Sequence, residues 1–170
     1  MKIALAQLNY VVGDVEGNTE SIINTIALAK KQQADLVVFA ELAVSGYPPH
    51  DLLTYPSFVF RCQEAVEKIA AQCIGIAAVV GAPTLNPDKR GKGLYNSACF
   101  LAEGKVEFIQ HKALLPDYDI FDEYRYFEPF TTPRIFHYKG KKIAIAICED
   151  IWEIGDPSLY DHQPLEELSR

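Results

Sequence analysis

Asp35-Leu36-Val37-Val38-Phe39-Ala40-Glu41 is a short, unbroken apolar run bracketed by two acids. That is the pattern of a strand buried on both faces. Upstream, Lys2 to Asn9 is a second apolar run, read as a buried strand and closed by the turn at Gly13-Asp14. Between the two, Asn18 is placed as the N-cap of a helix reaching about Gln32, with Ile22, Ile26 and Ala29 on its inner face. A strand, a helix and a strand in such quick succession mark an α/β protein.

Downstream, the Pro-rich loop Ser45 to Pro56 leads into a helix from near Ser57, whose Phe58, Cys62, Val66 and Ile69 share one face. Ile74 to Gly81 reads as another strand. Tyr95 to Ala102 and Lys105 to His111 flank Glu103-Gly104, and Arg134 to Tyr138 and Lys142 to Ile147 flank Lys139-Gly140. Each pair predicts an antiparallel hairpin. The sheet is therefore expected to be mixed, unlike a doubly wound nucleotide fold. Lys112 to Pro133 has neither a period of 2 nor of 3.6, yet carries five acids, three prolines and six aromatics. An ordered loop of that length in a compact domain usually builds a site.

The chain has 170 residues, 49% apolar and 23% charged, with a net charge of −7. This is a globular balance, and the charge argues against nucleic acid or an anionic membrane as a partner. Seven acids and one base fall between Glu149 and Arg170, so the acidity belongs to the C-terminal stretch. No apolar run is long enough to span a bilayer, and the N-terminus lacks the layout of a signal peptide. Cys62, Cys73, Cys99 and Cys148 form no CxxC pair, which fits reduced cytoplasmic thiols. No histidine or cysteine spacing suggests a metal site.

Three chemically useful residues stand at matching places. Glu41 follows the strand ending at Phe39, Lys112 follows the strand ending at His111, and Cys148 follows the strand ending at Ile147. In layered α/β proteins such strand ends converge over a cleft. A carboxylate within reach of a thiol can take its proton, and a cation beside an acyl carbon stabilises a tetrahedral oxyanion. The plain alternatives are a solvated Glu41, a surface Lys112 and core thiols, the last being the reading for Cys62, Cys73 and Cys99. Cys148 differs because Glu149-Asp150 follow it at once. His111 alternates to the face opposite Lys112 and reads as structural. Tyr118, Phe121, Tyr124, Tyr126 and Phe127 are consistent with packing beneath the long loop.

Three segments then change the weighting. Glu41-Leu42-Ala43-Val44-Ser45-Gly46-Tyr47-Pro48 resembles the general-base segment of the nitrilase (carbon–nitrogen hydrolase) superfamily. Lys112-Ala113-Leu114-Leu115-Pro116, with Phe121 to Phe127, resembles its catalytic-lysine segment, and Cys148-Glu149-Asp150-Ile151-Trp152 its nucleophile segment. The order matches, and the likeness runs along essentially the whole chain. Tyr47-Pro48-Pro49 before Asp51-Leu52-Leu53, and the run from Phe121 to Pro129, favour the glutaminase domains of glutamine-dependent NAD synthetases over general amidases.

The resemblance implies an α-β-β-α sandwich, represented by residues 1–170 as its N-terminal portion, with no synthetase domain. It implies Cys148 as nucleophile, Glu41 as general base, Lys112 as oxyanion stabiliser with the Glu149 N–H, and Glu123 as an accessory carboxylate. A second carboxylate so near Glu41 should raise one pKa unless Lys112 screens the pair. Tyr118 and the Glu149 side chain match positions that contact the α-amino end of glutamine, and Tyr47 is assigned to the same pocket. Amide cleavage in this family needs no metal or cofactor; ATP and Mg belong to the synthetase domain that receives the ammonia. Phe130 stands where the motif ordinarily has glycine, an expected point of altered loop geometry. Half a sandwich leaves apolar surface uncovered, which predicts a homo-oligomer. The alternatives are a free-standing amidase acting on another small amide and a non-catalytic fragment serving as an interaction module.

Overall fold

The computed structural model describes residues 1–88, 90–152, 160 and 162–169, so part of the acidic C-terminal stretch lies outside the described residues. One sheet runs in the order β1 (Ile3–Leu5), β2 (Leu36–Val38), β3 (Ala77–Leu85), β4 (Leu94–Ala102), β5 (Lys105–His111). The first three strands are parallel, and β4 runs antiparallel to both β3 and β5. A separate hairpin pairs β6 (Phe136–Tyr138) with β7 (Lys141–Ile143). Both expected hairpins form, and for the same reason. Glu103 and Gly104 have φ of 50° and 79°, and Lys139 and Gly140 have 46° and 71°. Two successive positive φ values match the right-handed twist of the strands, and glycine takes the second one without strain.

Helices α1 (Val15–Lys31) and α2 (Pro56–Ala70) cover one face of the sheet. Ile22, Ile26, Cys62, Val66 and Ile69 meet Val37, Val80, Cys99 and Leu101 there. On the other face, Leu36, Ala77, Val79, Ala98 and Phe100 are packed by the β6–β7 hairpin. The Phe100 ring lies 4.7 Å from Phe136 and 5.0 Å from Tyr138. Burying such a side chain is worth roughly 2–3 kcal/mol. Helix, sheet and hairpin thus stack in the α-β-β order of the expected sandwich. Among the described residues, no helix is long and apolar enough to cross a membrane.

Three local expectations need correction. The N-cap of α1 is Asp14, whose carboxylate accepts the Gly17 N–H at 3.0 Å. Asn18 instead sits buried inside the helix, where its amide donates to the carbonyls of Val11 and Val44 and accepts the Val11 N–H. The first strand is only Ile3–Leu5, and it is not buried: Ile3 is 50% and Leu5 75% exposed. It is the edge strand, and the hairpin that covers β2 to β5 leaves it open. The last strand ends at Ile143, so residues 144–147 approach Cys148 outside any ladder.

Candidate active site

Glu41 leaves β2 over the backbone of β3. A Cβ on Gly81 would lie 2.3 Å from the Leu42 nitrogen and 2.6 Å from the Ala40 carbonyl, so only glycine lets this segment rest on the sheet. The Val44 N–H then donates to the Gly81 carbonyl at 3.1 Å. The glutamate is carried on a rigid base and not on a loose loop.

Lys112 enters from the end of β5, its own N–H donating to the Asn96 carbonyl at 2.8 Å. Its side chain is fully buried, and Nζ contacts Glu41 Oε1 at 2.6 Å and both oxygens of Glu123 at 2.9 Å. Burial is the largest single influence on this ammonium and opposes its charge, but the two carboxylates together outweigh it and hold its pKa above the ordinary value. Glu123 is pushed up, first by burial and then by Glu41 beside it, against the pull of Lys112. A carboxylate of this pair is raised, with burial and not the neighbouring glutamate as the largest cause. Tyr47 points its hydroxyl at Glu123 Oε1, 2.8 Å away, and burial followed by the Glu123 charge raises its pKa.

Cys148 opens a short 3-10 turn, Cys148–Ile151, with a left-handed φ of 45°. For a side chain bearing Cβ that conformation costs roughly 1–2 kcal/mol. The anchor is Asp150. Its Oδ1 accepts the N–H groups of Ala113 and Leu114, and its Oδ2 accepts that of Ile147, all at 2.9 Å. One buried carboxylate therefore ties the residues after the lysine to the residue before the thiol. Burial raises the Asp150 pKa despite these three donors.

The thiol is exposed, unlike those of Cys62, Cys73 and Cys99. Burial of its local surroundings, the Glu41 charge and a hydrogen bond to Glu41 push it up to about 11, with Lys112 pulling the other way. Glu41 and Cys148 share the wall of a cavity of about 380 Å³ whose other lining includes Val38, Phe39, Val79 and Ile145. The sulfur, the acid and the amine predicted from three strand ends do come together.

Beside the thiol, the buried Glu149 carboxylate accepts from Tyr118 Oη at 2.9 and 3.0 Å and from Tyr160 Oη at 3.0 Å. Tyr118 and Glu149 are thus adjacent, and the Tyr47 hydroxyl is engaged with Glu123. Phe130 donates its N–H to the Lys112 carbonyl and sets its ring edge-on to His111 and Tyr95. It closes the long loop onto β4 and β5 through ring contacts.

Sequence reasoning missed three members of this neighbourhood. Asn96 donates to Glu41 Oε1 at 2.7 Å and to Glu123 Oε2 at 3.1 Å. Asp150 and Tyr160 are the others. Only Asp150 carried a signal, as an acid just beyond an apolar run. Asn96 lies within a strand, where polar residues ordinarily face water.

The profile of the carbon-nitrogen hydrolase family matches residues 2–154. The glutamine-dependent NAD(+) synthetase of Xylella fastidiosa (strain Temecula1) is 46% identical over 155 residues, covering 89% of this chain and 28% of that protein. A solved glutamine-dependent NAD+ synthetase from Acinetobacter baumannii, in complex with ADP, superimposes with a TM-score of 0.86 at 37% identity, covering 98% of this chain and 30% of the other. A mutant amidase from Nesterenkonia sp. AN1, solved with acrylamide added to its active-site cysteine, matches at a TM-score of 0.72 and 25% identity, over 88% of this chain and 58% of that one. The chain spans less than a third of the length of the curated relatives it matches. With a family profile extending over nearly its whole length, the chain belongs to the carbon-nitrogen hydrolase family.

Proposed function

We propose that the chain is the glutaminase portion of a glutamine-dependent NAD synthetase, cleaving the side-chain amide of glutamine through a thioester on Cys148. The observation that carries this reading is the grouping of Glu41, Lys112 and Cys148: Glu41 accepts from the Lys112 ammonium at 2.6 Å and shares the wall of one cavity with Cys148. A thiol pushed up to about 11 stays protonated near neutrality, so it needs a base at the moment of attack. Glu41 takes the proton as sulfur bonds to the amide carbon. The oxyanion that forms is held by Lys112 Nζ, which can release one of its two Glu123 contacts, and by the Glu149 N–H. Collapse of this intermediate breaks the C–N bond, and Glu41 returns the proton to the departing ammonia. Water then attacks the thioester, giving its proton to Glu41, and glutamate leaves as the thiol is restored.

Glu149, desolvated and next to the nucleophile, supplies the negative partner for the α-ammonium of glutamine, with Tyr118 fixing its orientation. The cleavage uses side chains and backbone alone. Ammonia made here serves a synthetase domain that converts deamido-NAD to NAD with ATP and Mg. A second reading, an amidase on simple amides, is favoured by the likeness to the Nesterenkonia amidase. Incubation of the protein with glutamine or with small aliphatic amides, followed by ammonia assay, separates the two. Release from glutamine that is lost in Cys148→Ala supports the glutaminase. Release from small amides but not glutamine supports the amidase, and release unaffected by Cys148→Ala overturns both.

A further inference from the structure

Asn96 is 1% exposed and lies on the strand face that also carries Ala98 and Phe100. Its amide nitrogen has two N–H groups. One reaches Glu41 Oε1 at 2.7 Å and the other Glu123 Oε2 at 3.1 Å, while its backbone carbonyl accepts the Lys112 N–H. Its Oδ1 has no hydrogen-bond partner among the described residues. An orphaned buried acceptor is costly, and a residue needed only to fill space would avoid it. The amide orientation follows from chemistry, since the opposite one would aim the oxygen at two carboxylates.

We infer that Asn96 is a positioning residue that divides the work of the two glutamates. It occupies Glu41 Oε1 together with Lys112, and so directs Oε2 to the proton of the Cys148 thiol. The inference rests on the reading of Glu41 as base. A carboxylate oxygen offers about two acceptor directions. With Lys112 at 2.6 Å and Asn96 at 2.7 Å, those of Oε1 are taken. The same two N–H groups place a donor on each carboxylate, which offsets the repulsion between Glu41 and Glu123. The other groups facing this pair are Lys112 from the end of β5, Tyr47 from the loop after β2, and Cys148. None of them donates to both carboxylates except Lys112, which is a cation and cannot distinguish base from bystander by shape.

The test is the rate of Cys148 alkylation by iodoacetamide from pH 5 to pH 9, read by peptide mass, in the wild type and in Asn96→Leu, Asn96→Asp and Glu41→Gln. Loss of two donors in Asn96→Leu moves the acidic limb up by about one pH unit, so for a limb in the ordinary carboxylate range the rate falls about two- to threefold at pH 5 and hardly at all near pH 8. The near-isosteric Asn96→Asp reverses the trend, its deficit growing with pH as a third carboxylate ionises. A purely structural role gives the same fold-loss at every pH. Such a flat loss, or an unchanged profile, in either folded variant overturns the inference while a Glu41-dependent wild-type profile leaves the base reading intact. If Glu41→Gln alkylates like the wild type, the base reading and this inference fall together.

Discussion

His111 and Lys112 follow one another in the chain, are both basic, are both drawn out of water, and end in different charge states. His111 turns toward the helix-covered side, where its ring stacks on Tyr95 at 4.1 Å and its Nδ1 lies 2.7 Å from the Ser97 hydroxyl. Burial, aided by Arg134, pushes it down to about 4, so it is neutral at physiological pH. Lys112 suffers the stronger burial but turns toward two carboxylates and keeps its charge. Burial alone neutralises a base, whereas burial among acids fixes its proton. One residue of alternation at a strand end therefore separates packing from chemistry.

The largest expected effect comes from removing the cation that makes the difference. Lys112→Met leaves Glu41 and Glu123 facing each other without a counter-ion, and should cost about 3–5 kcal/mol in urea unfolding. Lys112→Met/Glu123→Gln should recover part of that loss. A single variant as stable as the wild type would remove the carboxylates' role in holding the charge.

Next is the anchor between the two catalytic segments. Asp150→Ala strands three backbone donors, and should lower stability by about 3 kcal/mol and slow Cys148 alkylation severalfold. Unchanged alkylation would show that the Cys148 turn holds itself.

A smaller shift is expected from Glu41→Gln. The buried surroundings that raise the thiol remain, but the neighbouring negative charge goes, so the alkaline midpoint of Cys148 ionisation moves down from about 11. Ultraviolet titration of thiolate, with Cys148→Ala as blank, reads that midpoint, and a rise would contradict the assigned cause.

The smallest effect belongs to His111. Its folded pKa lies below the unfolded value, so its contribution is fully present above about pH 6.5 and is lost as pH falls through about 4. His111→Gln should flatten the acid-side decline in stability across that window and change little at pH 7. A variant that declines as steeply as the wild type would mean that other groups carry the acid sensitivity.

What the sequence revealed follows the same division. Glu41, Lys112 and Cys148 were legible because each stands where an apolar run stops, and the turns at Gly104 and Gly140 because their residues accept a positive φ. Asn96 was not legible, since its meaning depends on two acids far away in the chain, and neither alternation nor propensity reports that. Asn18 misled because a residue suited to capping a helix is also suited to clamping a loop, and only the fold decides which carbonyls are near. Leu5 misled because an apolar run does not say whether its strand is central or at an edge.

The central claim is that Glu41 activates one particular sulfur. Treatment of the protein with a glutamine-mimicking diazoketone at neutral pH, followed by peptide mass mapping, tests this directly. The expected result is a single adduct on Cys148, none on Cys62, Cys73 or Cys99, and a loss of labelling in Glu41→Gln. Equal labelling of the buried thiols, or full labelling of Cys148 without the Glu41 carboxylate, would contradict it.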